Sequence, residues 1–366
     1  MQLVGCMSTR LPPHCPNPSC PFHCTPVAWR FKRIGFFHPE HSRRRPVQRY
    51  LCLHCRRSFS SQTFKTTYWM RRPDLQASIF HRILACSGFR QIAREFGVAP
   101  TTILNHVLRL GRHCLLFQHL HRPSVEEPVV LDGFESFEYS QYFPCHFNNL
   151  VGKTSHFFYL FTESPLRRKG RMTAHQLRQR TRLEARLGRP DPKAIQKGVA
   201  ELLRLATRPG QAIELHTDDH PAYPRAIRSL PELRVRHVTT PSVERRTPRN
   251  PLFPVNLLDL LIRHGSANHK RETIAFSKRR QGAIERLAIL QVWRNFIKPF
   301  SERRGGPTPA QRLGLTDRAL GVGDILNRRL FGSLLGLPET LARYYRREVV
   351  TAALPVNRVS RLAYAC

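Results

Sequence analysis

Negative charge is scarce in this chain. Its 366 residues include 25 Asp and Glu against 60 Lys and Arg, a formal charge of +35 with histidine neutral. A merely solvated charged face would carry acids in comparable number, so an excess of this size points to a polyanionic partner that the field gathers and steers, with nucleic acid the first expectation. Long apolar runs are also missing. No stretch of about 18 uninterrupted apolar residues occurs, and the N-terminal "MQLVGCMSTRLPPHC" has no run of signal-peptide length. No membrane partner is therefore expected, and the chain reads as soluble and cytoplasmic. Low-complexity tracts and long-range repeats are absent too, and 41% apolar content over this length is enough for two or three domains with at least one sizeable core.

Cysteine is present but unevenly spread. Five of the ten, Cys15, Cys20, Cys24, Cys52 and Cys55, fall between residues 15 and 55, which in a cytosolic chain suggests a metal rather than disulfides. "CPNPSCPFHC" and "LCLHC" form two knuckles separated by a hairpin-sized basic insert. Four thiolates can then converge on Zn²⁺, which supplies folding energy to a segment with little core. The expected zinc ribbon spans 12–66, with Cys15, Cys20, Cys52 and Cys55 as ligands and Cys24 or His23 as a substitute for Cys20.

Residues 74–114 carry apolar positions at helical spacing, interrupted by Gly88 and Gly97. The spacing predicts helices over roughly 74–86, 89–96 and 99–110, with Ile92, Ala93, Phe96, Val98, Ile103 and Val107 on a shared core. This is a helix-turn-helix pattern, assigned to 72–116. Its last helix would present Thr101, Thr102, Asn105 and His106 to DNA. A linker is expected at 119–127.

Strand patterns follow at 128–140 and 155–164, then a basic segment from Leu166 to Arg189. Next come a helix-like "PKAIQKGVAELLRLAT", a strand in "QAIELHTDD", a helix beginning near Pro221, and a last short strand, "ELRVRHVTT". From Leu252 onward the pattern is mostly helical. Two of the apolar strands end in aspartate, "VVLD" at Asp132 and "IELHTD" at Asp218. Carboxylates on adjacent strand ends repel each other unless a cation lies between them. Mg²⁺ or Mn²⁺ is the natural occupant, since a hard ion takes carboxylates plus phosphate oxygens and serves phosphodiester chemistry. Either aspartate could instead cap a turn or a helix.

At these residues the chain resembles a known family. "LDGFESF", "HTDDHPAYPRA" and "NHKRETIAFSKRRQGAIERL", preceded by a zinc ribbon and a helix-turn-helix, resemble bacterial insertion-sequence transposases of the DDE type over roughly 12–315. The resemblance implies an α/β multidomain protein. After the zinc ribbon and helix-turn-helix would come a ribonuclease-H-like mixed-sheet catalytic domain over 126–300 and a basic helical tail over 301–366. It also implies metal-dependent cutting and joining of double-stranded DNA at inverted terminal repeats and in the target, by a homo-oligomer associated with the bacterial nucleoid. Asp132 and Asp218 would be the metal ligands, with Asp219 as the neighbouring alternative and Glu135 as a further acid near Asp132.

The family's third acid has no obvious counterpart, because Asn256 stands where a glutamate would. Asp259, one helical turn on, is the leading candidate, followed by Glu272 and Glu285. The basic group Arg263, His264, His269, Lys270, Arg271, Lys278, Arg279 and Arg280 is expected to face DNA phosphates, while Trp293 and Phe296 read as core. The alternative to a transposase is a catalytically impaired, transposase-derived DNA-binding regulator.

Overall fold

The computed structural model describes residues 11–38, 46–270 and 273–357. Arg271 and Glu272 lie outside these residues.

A three-stranded antiparallel sheet of β1 (Phe31–Phe37), β2 (Val47–Cys52) and β3 (Ser58–Ser60) forms the N-terminal part. Its buried cluster is small: Cys15, Cys20, Tyr50, Cys52 and Phe59, flanked by Phe22, Trp29, Phe31 and Phe64. A core of this size gives little hydrophobic stabilisation by itself. The cluster is also propped from the far end of the chain, because the Arg329 guanidinium donates to the Thr63 carbonyl at 2.9 Å and Phe331 packs edge-on against His14.

Three helices come next: α1 (Gln76–Leu84), α2 (Phe89–Glu95) and α3 (Pro100–His121). The expected core residues Ile92, Ala93, Ile103 and Val107 are buried, with Phe96 and Val98 packed beside them. The third helix is not the short element that the sequence suggested. It runs past the expected end at 110, and Gly111 is where α3 meets α8 (Arg280–Val292). A Cβ at Gly111 would stand 2.5 Å from the Cβ of Glu285, so glycine is kept there for close helix approach. The second half of α3, Leu110 to Gln118, is buried. One hydrophobic cluster therefore runs from α1 into the main sheet, and the expected linker begins inside a helix.

The main sheet has the order β6-β5-β4-β7-β8, with β4 Val129–Phe137, β5 Pro144–Gly152, β6 Phe158–Pro165, β7 Ala212–Thr217 and β8 Arg234–Thr239. β4, β5 and β6 form an antiparallel meander, and β7 and β8 add in parallel on the other side of β4. β5 was not expected. Its polar Asn148, Asn149 and His146 break the apolar alternation, yet all nine of its residues are buried because helices cover both faces. α5 (Ala194–Ala206) lies on one face and α7 (Phe253–Gly265) on the other. On the α5 side, the Asn148 amide donates to Thr162 and Ser164, and Thr162 donates in turn to the Gly198 carbonyl. Hydrogen bonding thus offsets the cost of burying these polar groups.

Further helices include α4 (Ala174–Leu187), α6 (Ala222–Arg228) and α9 (Glu339–Arg346), beside short helical turns at Pro21–Cys24, Pro309–Arg312 and Val322–Leu326. α8 ends in a π-type turn, Trp293–Ile297, whose Phe296 is buried in the core as expected. No described helix is long and apolar enough to cross a membrane.

Candidate functional sites: a cysteine cluster and an acidic centre

The two cysteine knuckles meet. The Sγ atoms of Cys15, Cys20, Cys52 and Cys55 all lie within 4.8 Å of one another, the arrangement four thiolates need around one ion. Cys24 is exposed and outside the cluster. His23 is engaged elsewhere, since its Nδ1 donates to the Cys15 carbonyl at 2.7 Å and its Nε2 meets the Ser333 hydroxyl at 2.8 Å.

The donor set fits a thiophilic cation. Burial pushes the Cys15 and Cys20 thiols up, a cost that a bound cation reverses by favouring the thiolate. At Cys52 burial also acts upward, but the Trp29 indole N–H at 3.2 Å and nearby backbone N–H groups outweigh it and bring the thiol down to about 7. These four cysteines can hold one Zn²⁺.

The second centre lies in the main sheet. Asp132 does not end its strand, as the sequence suggested. It is the fourth residue of β4, which stays paired with β5 as far as Phe137, while pairing with β7 stops after Val129↔Leu215 and Val130↔His216. Continued by two residues, that register sets Asp132 level with Asp218, just past the end of β7. The chain turns to one side after β4 and to the other after β7, so their carboxyl ends flank a topological switch point, where open α/β sheets commonly bind ligands.

Asp259 reaches the same place from α7. Asn149, the β5 partner of Asp132, donates from Nδ2 to Asp259 Oδ1 at 3.3 Å. Tyr223, at the start of α6, donates to Asp132 Oδ1 at 3.4 Å. Burial, followed by the charges of Asp132, Asp218 and Asp259, pushes its phenol well above the ordinary value. One hydroxyl therefore senses three carboxylates that come from three separate elements.

The acids sense one another too. Burial and then the Asp218 charge raise Asp132 to about 6, against the Gly133 N–H bonded to its Oδ1. Burial and then the Asp132 charge raise Asp259 to about 7, against the Asn149 amide. Arg246 is the cation whose field reaches both. Among the described residues only the cysteines have all their donor atoms within 4.8 Å of each other, so the three aspartates stand further apart as a set. A pair of ions about 3.5–4 Å apart does not require all the acids in one coordination sphere. The buried Asn149 Oδ1 has no hydrogen-bond partner, which adds a spare neutral oxygen donor at this spot.

Several expected residues lie elsewhere. Asp219 is held by the Ser242 N–H and hydroxyl, each at 3.3 Å. Glu135 is exposed. Glu285 is buried between α3 and α8, where its carboxylate accepts from Arg347 at 2.8 Å, so it cannot serve as a third acid here.

The proposed DNA contacts divide in the same way. Thr101 and Asn105 are exposed and Thr102 half-buried. His106 is fully buried, with Nε2 2.9 Å from the Arg71 carbonyl, so it is a packing residue. Lys278 is exposed over the Phe276 ring, and Arg279 donates to the Val356 carbonyl at 2.8 Å. Arg280 is not a phosphate contact. It is buried and bridges Glu138 at 2.6 Å and Glu163 at 2.7 Å, because a guanidinium inside the fold needs carboxylate partners. His269 is buried against the Ser136 hydroxyl.

Sequence reasoning missed Tyr223 and Asn149. Tyr223 was within reach, five residues past Asp218 in the quoted "HPAY". Asn149 was not, because its strand went unrecognised. No protein-family model matches the chain.

Proposed function

We propose that this chain is a DNA transposase of the DDE type, binding the terminal repeats of a mobile element and cutting and joining DNA with Mg²⁺ or Mn²⁺. The supporting observation is the meeting of Asp132, Asp218 and Asp259 around the Tyr223 hydroxyl, in a chain of charge +35. Asp132 and Asp259, both raised by burial and by a neighbouring carboxylate, are costly without a cation, and such groups concentrate at functional sites. The sheet order, with Asp132 inside β4 level with Asp218 just past the end of the parallel neighbour β7, is consistent with a ribonuclease-H-like catalytic domain.

In this reading Asp132, Asp218 and Asp259 hold the divalent ions, with Asn149 orienting Asp259 and Tyr223 orienting Asp132. Ions bound there would polarise the phosphoryl oxygen and offset charge that develops on the attacking and leaving oxygens. The cysteine cluster, with Zn²⁺, would shape the N-terminal DNA-binding part. Thr101 and Asn105 face outward on the first turns of α3, with Thr102 half-buried beside them, available to a groove.

The alternative reading, an impaired regulator, rested on the missing glutamate. Asp259, at the expected stage of the fold and in the field of Asp132, supplies a carboxylate instead and favours the enzyme. The test is to incubate the purified chain with Mg²⁺ or Mn²⁺ and DNA carrying the element's ends. Nicking or strand transfer is expected, with a loss of at least about 10³-fold in Asp132→Ala and in Asp218→Ala, the rate equivalent of about 4 kcal/mol. Binding without metal-dependent cleavage would leave the regulator; cleavage that survives both substitutions would mean the site is elsewhere.

A further inference from the structure

Between β6 and α5 the chain makes an excursion, residues 166–189, with nine Arg and Lys and a single acid, Glu184. Its helix α4 has no fully buried residue, so hydrophobic burial does not account for its being folded. Its one acid is turned inward. The Glu184 carboxylate, 11% exposed, takes Arg167 at 2.7 Å from the start of the excursion, Arg180 at 3.4 Å from the helix, and Arg189 at 3.1 Å from the end. A capping box of Thr173 and Gln176 sets the first turn. On the inner side, Arg180, Leu183, Glu184 and Leu187 line a cleft against Tyr142 and Phe143.

The outer side is different. Arg178, Arg182 and Arg186 follow one another every four residues, about 6 Å apart along the axis, and so share one face opposite the cleft. All three are exposed, and no hydrogen bond or ion pair engages them among the described residues. Like charges at this spacing destabilise a helix by a few tenths of a kcal/mol per pair. A helix with no core and a self-repelling face gains stability when a polyanion neutralises that face.

The sheet sets where the excursion leaves the core. β6 and β4 are both antiparallel to β5, so β6 ends at the same rim where Asp218 follows β7. Through Ser136↔Cys145 and Cys145↔Pro165, Pro165 stands level with Ser136, four residues beyond Asp132. The excursion thus leaves the sheet on the rim that carries the acids, three strands from β7, or about 14 Å at ordinary strand spacing.

We infer that α4 is a DNA-backbone clamp: Arg178, Arg182 and Arg186 contact phosphates of double-stranded DNA laid across the carboxyl rim, independently of its sequence. This rests on the transposase reading for the identity of the polyanion. Phosphate contacts of this kind position a duplex and carry no base information.

The test compares the full-length wild type with R178Q/R182Q/R186Q and R178E/R182E/R186E. Binding of a mixed-sequence duplex is followed by fluorescence anisotropy at several salt concentrations, with zinc content and melting temperature as folding controls. In the Gln variant the slope of log K against log salt should fall by about 2.7, three contacts at about 0.9 each. The Glu variant should bind at least about tenfold more weakly at roughly 0.1 M salt. If the Glu variant fails to fold, the Gln slope alone decides. Because binding is the readout, a fallen slope upholds the clamp whether or not the chain cuts DNA. An unchanged slope beside a wild type that binds overturns it, and so does a slope change seen with single-stranded RNA but not with duplex DNA.

Discussion

The cysteine cluster and the acidic centre are both suited to metal, in opposite ways. The cysteines are soft donors drawn within 4.8 Å of one another in a segment whose buried cluster is five residues. The aspartates are hard donors, more widely spaced, on a sheet with helices on both faces. Where the core is small, an ion replaces it and the donors must surround that ion fully. Where the core is large, the fold can hold carboxylates in unfavourable proximity and leave part of the coordination to a substrate. On the proposed reading, a metal in the first arrangement would be a structural part, and in the second a reagent.

Removing a cysteine tests this contrast most severely. Cys52→Ser should lose about one equivalent of zinc and a large part of the roughly 10–16 kcal/mol that a structural zinc contributes. Hydrogen exchange in β1–β3 should approach unfolded rates while α8 stays protected. A ribbon that keeps its protection without metal would erase the distinction.

A mid-sized effect is expected where the sheet is held without metal. Arg280→Ala leaves Glu138 and Glu163 buried without their main partner and should cost about 3–5 kcal/mol in denaturant unfolding. An unchanged midpoint would mean that the sheet does not depend on this ion pair.

The smallest effect is a dependence on pH. Asp132 and Asp259 sit at about 6 and about 7 in the folded chain, against 3.8 ordinarily. The folded state then holds protons that the unfolded state has released. Their contribution to stability is fully present below about pH 4 and is lost as the pH rises through 6 and 7. In chelator, urea unfolding should show a decline on the order of 1–3 kcal/mol over that window, flattened in Asp132→Asn and offset by adding Mg²⁺ or Mn²⁺ at neutral pH. A flat profile for the wild type in chelator would count against mutual repulsion among the acids.

How much of this was legible in the sequence followed from how local each signal was. The cysteine pairs stand out because thiols are rare and their knuckles are short, and the irregular Cys15–Cys20 spacing still closed the cluster. Asp132 and Asp218 were found as acids at the end of apolar runs, although Asp132 turned out to lie within its strand. β5 was hidden because the partners of its asparagines are distant in sequence: Thr162 and Ser164 of β6 for Asn148, and Asp259 of α7 for Asn149. His106 and Arg280 were misread for a related reason. A buried polar side chain is recognised by its partners, and theirs are Arg71, 35 residues away, and Glu138, 142 residues away. The continuation of α3 past residue 110 was hidden because only a second helix, far along the chain, explains Gly111.

The continuity of α3 has a mechanical consequence. Twenty-two helical residues span about 33 Å, with the exposed Thr101 and Asn105 near one end and the buried Leu116 and Phe117 near the other. A shaft anchored in the protein's interior does not swing as a tether does. Whatever its outer tip grips stands at a set distance from the sheet, and the molecule carries its own measuring rod, roughly ten base pairs long on the scale of duplex DNA.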